Sequence, residues 1–575
     1  MLIKPSHYDD DGYVIQWFRS AIPSNSLAVL FGLAQECRAN CVLGDDVEIE
    51  IHAFDETNSR IKCDKIASLI NRADGGVVML VGVQSNQFPR ALDIAAALRQ
   101  KNVQVAIGGF HVSGTLAMLG GPDPDIRRAQ QLGASLFSGE AEGRLEGVLR
   151  DAWNKNLQPL YNFMDDLPHL EDVAAPVLPP ERVKRTAGAT TSFDAGRGCP
   201  YQCSFCTIIN VQGRKSRRRS PDDIERIVRM NVAQGLHSFF ITDDNFARNK
   251  DWEPILDRLI HLREVEKLKI SFIIQVDTLC HKLPNFIEKA ARAGVKRVFI
   301  GLENINPTSL LGAKKQQNKI TEYRKMLLAW KHASILTYCG YILGFPGDTP
   351  ESIMNDIRII QKELPVDLLE FFYLTPLPGS EDHQRLHRAD VAMDADLNKY
   401  DLNHAVTGHA LMSQKEWEQA YAQAWETYYT TEHIETVLRR AMATGTSPGK
   451  AVLFISWFKG CIGIEGIHPL EGGFLRLKFR RDRRFGLPHE PVWLFYPRYC
   501  VETVKKQISW LSLYLRLHKM YRRIKRDPNR HEYVDLALTP VTDEEVETRE
   551  MFQSAAAHSY VVQVQRLPKA RNASA

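Results

Sequence analysis

Between residues 190 and 375 the chain alternates short apolar runs with longer amphipathic stretches, and that alternation leaves few folds open. The runs fall at 191–195, 238–242, 270–276, 297–302, 337–343 and 368–374, and each reads as a strand. The stretches between them suit helices. The one at 221–234 opens on Ser220-Pro221, a cap followed by a first-turn proline. Strands joined through helices make a parallel sheet, and six such units form an incomplete version of the eight-fold barrel.

The first strand leads into Gly198-Cys-Pro-Tyr-Gln-Cys-Ser-Phe-Cys-Thr207, which places Cys199, Cys203 and Cys206 in one loop at the carboxyl end of a strand, where barrel active sites form. A closed iron-sulfur cluster is held by four thiolates, so three leave one iron free to bind something else. An open coordination position separates catalytic from structural metal sites. Taken alone, the triplet also allows a zinc site with no visible fourth ligand, or unrelated reduced thiols. His237, the nearest downstream histidine, is not at finger-like spacing.

The spacing C-x3-C-x2-C, with Phe205 before the last cysteine, resembles the signature of the radical S-adenosylmethionine (SAM) superfamily. The resemblance covers roughly 185–385. It implies a (β/α)6 partial barrel, a 4Fe-4S cluster on Cys199, Cys203 and Cys206, and reductive cleavage of SAM to a 5'-deoxyadenosyl radical. Later strand ends supply candidate SAM contacts. In Thr242-Asp-Asp-Asn-Phe246 the superfamily's Gly-Gly-Glu is absent, which leaves Asp243 or Asp244 as the candidate; Asp-Asp-x-Phe resembles the cobalamin-binding branch. Asp244 or Asn245 equally suits a helix cap. Gln275 and Asp277 are placed for ribose hydroxyls, and Glu303 for orienting SAM or pairing with a basic neighbour. Gly344, Phe345 and Pro346 lie in a glycine-rich segment similar to the adenine-contacting motif, where missing side chains let backbone approach a planar ligand. Leu374-Thr-Pro-Leu-Pro-Gly379 resembles the end of the sixth strand.

Upstream, 25–155 reads as a separate Rossmann-like unit, with strands at 27–33, 47–54, 76–83 and 103–107 and a helix at 89–100. Loops with Gln84, Ser85, Gly108, Gly109, Phe110, Gly139 and Glu140 would open at the carboxyl ends of its strands, where such sheets bind ligands. The unit is similar to the cobalamin-binding domain that precedes the barrel in one branch of the superfamily, and those seven residues are the candidate cobalamin contacts. The Asp-x-His-x-x-Gly motif that supplies a histidine to cobalt elsewhere is missing, and His111 reads as a loop or core histidine. A degenerate unit that binds nothing is the competing reading.

At 575 residues the chain is expected to divide into an N-terminal extension (1–24), the Rossmann-like unit (25–155), a proline-rich linker (156–184), the barrel (185–390), a mainly helical region (391–562) and a disordered tail (563–575). A net charge of +4 gives no polyanion signal, so nucleic acid is not an expected partner. With no secretory-type start, no apolar run of spanning length and cysteines otherwise scattered, a cytoplasmic location is expected. A basic amphipathic stretch at 504–526 raises peripheral membrane contact as a further partner, against a solvated domain cover. The combined expectation is cobalamin-dependent methylation of an unactivated carbon on a small-molecule or lipid-like substrate. A low-potential donor such as flavodoxin or ferredoxin would supply the electron. The alternatives are a cobalamin-independent radical cyclase, rearrangement or oxidation enzyme, an RNA methylthiotransferase, and a non-catalytic cobalamin or iron-sulfur sensor.

Overall fold

The computed structural model describes residues 1–120, 123–540, 549–554 and 556–559, so the tail expected from 563 lies outside the described residues. The first sheet consists of β1 (Leu2–Lys4), β2 (Ala53–Asp55), β3 (Val77–Leu80), β4 (Gln104–Gly108), β5 (Ser135–Ser138) and β6 (Leu160–Asn162). Their order is β2-β1-β3-β4-β5-β6 and every neighbouring pair is parallel. Strand order reverses between β1 and β3, and the rule for such sheets puts a ligand crevice outside the carboxyl ends.

Three sequence expectations need correction here. Residues 27–33 are not a strand but part of the helix Asn25–Ala39, capped by Ser24 Oγ, which accepts from the Leu27 amide. Leu27, Ala28, Val29, Phe31 and Leu33 are all buried, and Gly32 lies against the Ala175 carbonyl, because the helix is covered on several sides. Over seven residues a fully covered helix and a buried strand have the same apolar pattern. Of 47–54 only the last two residues pair, as the start of β2. Residues 1–24 are not an extension: β1 lies inside the sheet, and the strand Gln16–Ser20 pairs antiparallel with Gly473–Leu477. A three-residue strand carries too little pattern to be read.

The second sheet is the expected partial barrel. It comprises β7 (Thr190–Phe193), β8 (Ser238–Ile241), β9 (Ser271–Val276), β10 (Val295–Glu303), β11 (Leu336–Leu343) and β12 (Leu368–Tyr373), parallel and in sequential order. Between β7 and β8 the helix Pro221–Ala233 begins with a reciprocal capping box of Ser220 and Asp223. One apolar core continues from the barrel (Phe272, Trp330, Ile357) into the helices Gln414–Tyr428 and Thr431–Ala443 through Trp417, Trp425, Tyr428 and Leu438. The 504–526 stretch belongs to a longer helix, Val492–Arg526.

A backbone contact joins the first unit to the barrel. The helix Phe110–Leu119 meets the loop after β12 backbone to backbone, and a Cβ on Gly114 would lie 2.8 Å from Gly379 Cα. Only a glycine permits that approach. Beside it, Asn210 donates its amide to the Gly379 carbonyl at 2.9 Å.

Candidate active site at the barrel mouth

β7 ends at Phe193 and delivers the three cysteines to the barrel mouth through the short pair Gly196–Arg197 and Arg217–Arg218. The loop is held by its own backbone: Cys199 donates to the Gly213 carbonyl (3.2 Å), Ser204 to Ala313 (3.0 Å) and Cys206 to Cys203 (3.2 Å). Gly198, at φ +87°, passes so close to the Lys215 carbonyl that an added Cβ would lie 2.6 Å from it. None of the three cysteines is in a disulfide. Burial pushes the Cys199 thiol up to about 11 and that of Cys206 up to about 12, so without a metal both hold their protons at neutral pH. A metal takes the thiolate and releases the proton. Three sulfur donors from one braced loop that holds no fourth cysteine suit a cluster with one free iron.

Around this loop the structure gathers some of the expected residues and assigns others different work. Asp244 is close enough to raise the thiols of both Cys199 and Cys206, and burial together with Asp243 pushes its own carboxyl up to about 7. Asp243 itself is occupied. Its carboxylate accepts from the amides of Ala195 (2.6 Å) and Gly196 (2.9 Å) and from Asn249 (3.0 Å), so it braces the end of β7. Gln275 donates to the Asp243 carbonyl at 3.3 Å. Asp277 is clamped by both guanidinium nitrogens of Arg248 (2.6 and 2.9 Å) and by Asn245 (2.9 Å). Burial alone would raise its carboxyl, and Arg248 instead holds it below the usual carboxylate range. Tyr201, inside the cysteine loop, reaches the same carboxylate at 3.4 Å.

Glu303 is buried, at φ +62°, just past a register slip in the β10–β11 pairing. Left-handed backbone in a buried non-glycine residue stores strain, and such strain concentrates at functional sites. Its carboxylate pairs with Lys315, whose ammonium lies 5.5 Å from the Phe205 ring centre. Burial would lower the Lys315 pKa, yet Glu303 and then Cys203 hold it above the ordinary lysine range. Gln317, two residues on, donates to Cys203 Sγ at 3.5 Å. Sequence reasoning missed Lys315 and Gln317. Their only signal is the polar run Lys314-Lys-Gln-Gln-Asn318.

The glycine-rich segment after β11 is used differently from the expectation. Gly344 has φ +100°, and the room where a side chain would stand is filled by Trp417, 2.0 Å from an added Cβ. The bare backbone there accommodates a helix of the C-terminal region. Asp348, also missed, accepts from the Gly344 amide (2.9 Å) and the Phe345 amide (3.0 Å) and pins the turn. Phe345 packs with Ala313 and Ile342 against Phe205 of the cysteine loop, whereas Pro346 is exposed.

A cleft with about 960 Å³ of atom-free space, open to solvent, lies outside the carboxyl ends of β3, β4 and β5. Gly108, Gly109, Phe110, Gly139 and Glu140 line it, and so do Arg197, Val211 and Gln212 from either side of the cysteine loop. Gln84 and Ser85 do not. Gln84 caps a local turn, and the Ser85 hydroxyl lies 3.2 Å from His111 Nδ1. His111 is buried against Phe88, with ring centres 4.3 Å apart, and is absent from the cleft lining. Glu140 is held by Arg197 and Arg217. Arg197 also binds Glu142 (2.6 Å) and Asp194 (3.1 Å), so a buried network joins the first unit to the barrel along the cleft wall.

Comparison with known proteins agrees with this geometry. Residues 194–360 match the family model described as the radical SAM superfamily. The chain is 25% identical over 345 residues to bacteriochlorophyllide d C-8(2)-methyltransferase of Chlorobaculum tepidum, covering 57% of this chain and 72% of that protein. It is 26% identical to hopanoid C-2 methylase of Rhodopseudomonas palustris, covering 45% of this chain and about half (49%) of that protein. Among solved structures, the radical SAM methyltransferase TsrM from Kitasatospora setae, with cobalamin and a [4Fe-4S] cluster bound, superposes with a TM-score of 0.52 at 14% identity, over 74% of this chain and 88% of that one; at such identity the likeness speaks for the fold. The three cysteines on a braced loop at the mouth of a six-stranded parallel partial barrel thus fall inside the stretch, residues 194–360, that matches the radical SAM superfamily model.

Proposed function

We propose that this protein is a cobalamin-dependent radical SAM methyltransferase acting on an unactivated carbon of a small-molecule or lipid-like substrate. One observation carries the reading: the cleft of the first unit is walled on its far side by Arg197, Val211 and Gln212, so a ligand seated there abuts the cysteine loop. The cleft lining is mostly apolar, as suits a large planar group. The relatives named above are methyltransferases of a tetrapyrrole and of a hopanoid. When bound, a 4Fe-4S cluster and SAM supply the radical and cobalamin supplies the methyl group. This chain's residues would do the rest. Cys199, Cys203 and Cys206 would hold the metal, and Asp244 and Glu303 would set the charge around the SAM ammonium. Gly108 and Gly109 would let backbone meet the corrin, and the Arg197 network would keep the two cofactor sites in register.

The experiment is anaerobic purification with iron, sulfide and cobalamin supplied, followed by metal quantitation. We expect about four irons and one cobalt per chain. Four irons without cobalt would overturn the cobalamin reading and leave a radical SAM enzyme of another reaction class.

The lipid-like substrate class has its own support in the helix Val492–Arg526. Trp493, Ile508, Leu511 and Leu515 are 76%, 62%, 59% and 55% exposed, and Val504 lies on the same stripe. Lys505, Arg516, Lys519 and Arg522 flank them and are also exposed. Among the described residues no helix is long and apolar enough to cross a membrane. An apolar stripe with basic flanks fits the plane of an anionic bilayer surface. Co-sedimentation with vesicles containing anionic phospholipid should fall at least tenfold in the double variant Ile508→Glu, Leu511→Glu, since each buried side chain contributes about 1.5–3 kcal/mol. Equal sedimentation of the variant and the parent would rule out this surface as the membrane contact.

A further inference from the structure

Three residues distant in sequence, none of which lines the cleft, bring metal-type ligand atoms together. His7 lies just after β1, Asp401 in the segment that leaves the barrel, and Glu471 in the loop before Gly473–Leu477. One nitrogen of His7 and one carboxylate oxygen from each acid all lie within 4.8 Å of one another. His7 is 4% exposed and Asp401 is also buried.

Asp401 already accepts from the Asn403 and His404 amides (2.8 and 3.1 Å), whereas the facing atoms of the other two residues are unengaged. His7 Nε2 and Glu471 Oε2 are 3.3 Å apart, yet both are buried atoms that make no hydrogen bond. A buried polar atom with no partner costs about 1–3 kcal/mol, so two of them facing one another need an explanation. The separation supplies one. Two ligands on a tetrahedral ion with bonds of about 2.1 Å stand roughly 3.4 Å apart.

The surroundings have the form of an outer shell. Asn86 donates to the other carboxylate oxygen of Glu471 at 2.9 Å, and Trp17 donates to the Glu471 carbonyl at 2.9 Å. The His404 ring nitrogen Nδ1 lies 3.0 Å from both oxygens of Asp401, and its Nε2 is 3.3 Å from Asp10. Groups that orient a ligand through its second atom are the usual support of a metal site. Nitrogen with oxygen donors suits zinc, manganese or ferrous iron over calcium or magnesium.

We propose that His7, Asp401 and Glu471 bind one divalent transition-metal ion, separate from the iron-sulfur cluster, which ties the amino-terminal segment to the exit of the barrel. Three protein ligands leave a fourth position for water or for a donor atom of a bound molecule. The proposal does not depend on whether cobalamin occupies the cleft.

The test uses the full-length protein with its cluster reconstituted. Zn2+ is added in slight excess, unbound metal is removed by gel filtration, and zinc and iron are counted in the same sample; Mn2+ is run in parallel. The expected result is one equivalent of zinc or manganese in the parent protein. His7→Ala and Glu471→Gln should lose it while keeping their iron, and Cys203→Ala should keep it while losing iron. The metal should also raise the melting temperature of the parent and not that of His7→Ala, because binding stabilises only a fold that holds the site. Glu471→Gln, nearly isosteric, covers the case in which His7→Ala fails to fold. Absence of a stoichiometric ion, or equal retention by the parent and both variants, would overturn the proposal.

Discussion

Replacing Cys203 by Ala is expected to reduce SAM cleavage to background and to remove the cluster iron. Of the three cysteines Cys203 is the least exposed to solvent, and its sulfur is the one reached by the Gln317 amide. With two thiolates left, the loop cannot hold a cubane, and the electron for SAM has no source. The measurement is 5'-deoxyadenosine formed per chain by anaerobically reconstituted protein, with iron counted alongside. Cleavage at the parental rate would remove the cluster assignment and with it the proposed reaction. Far-ultraviolet dichroism should be unchanged, because the backbone bonds that shape the loop do not use the side chain.

Arg197→Met should be the most destabilising single change on the cleft wall. Arg217 would still pair with Glu140, and Arg219 with Asp194. Glu142, by contrast, has Arg197 as its ion-pair partner and would be left buried without it. Removing one member of a buried ion pair costs about 3–5 kcal/mol, a large share of a domain's stability. A shift of the denaturant midpoint measures it, and adding Glu142→Leu should recover part of the loss. A midpoint within error of the parent would show that the network does not hold the two units together.

The same network sets a pH dependence. Burial would raise the carboxyls of Glu142 and Asp194, but Arg197, joined at Asp194 by Arg219, holds both below the usual range. Groups with depressed folded values stabilise the protein above their unfolded values of about 4, and that contribution disappears as pH falls through the folded ones. The gap between the parent and Arg197→Met should therefore be widest at and above neutrality and close as pH falls.

Much of the barrel was legible because each of its strands is an apolar run set off by polar, capped helices, as Ser220 and Asp223 show for the first crossover. The cysteines were legible because their chemistry depends on local spacing. The first sheet was less so. β1 is three residues long, and the covered helix Asn25–Ala39 imitates a strand. The site was hardest to read where a role depends on partners far along the chain. Nothing near Asp243 in sequence says that it will hold the amides of Ala195 and Gly196, and nothing near Gly344 announces Trp417. The partners of Arg197 at Glu140 and Glu142 are equally invisible, since charge complementarity across more than fifty residues leaves no periodicity.

The pairing of Gln16–Ser20 with Gly473–Leu477 imposes a timetable on biosynthesis. Roughly 450 residues separate the two strands, so at about 5–20 residues per second the first waits some 20–90 seconds on the ribosome for its partner. Trp17, completely enclosed in the finished protein, is without its cover for that interval. An unpaired strand edge carrying a tryptophan is a target for chaperones and a risk for aggregation. The yield of folded enzyme should accordingly depend on elongation speed and on holdase supply, two variables that no property of either cofactor site would suggest.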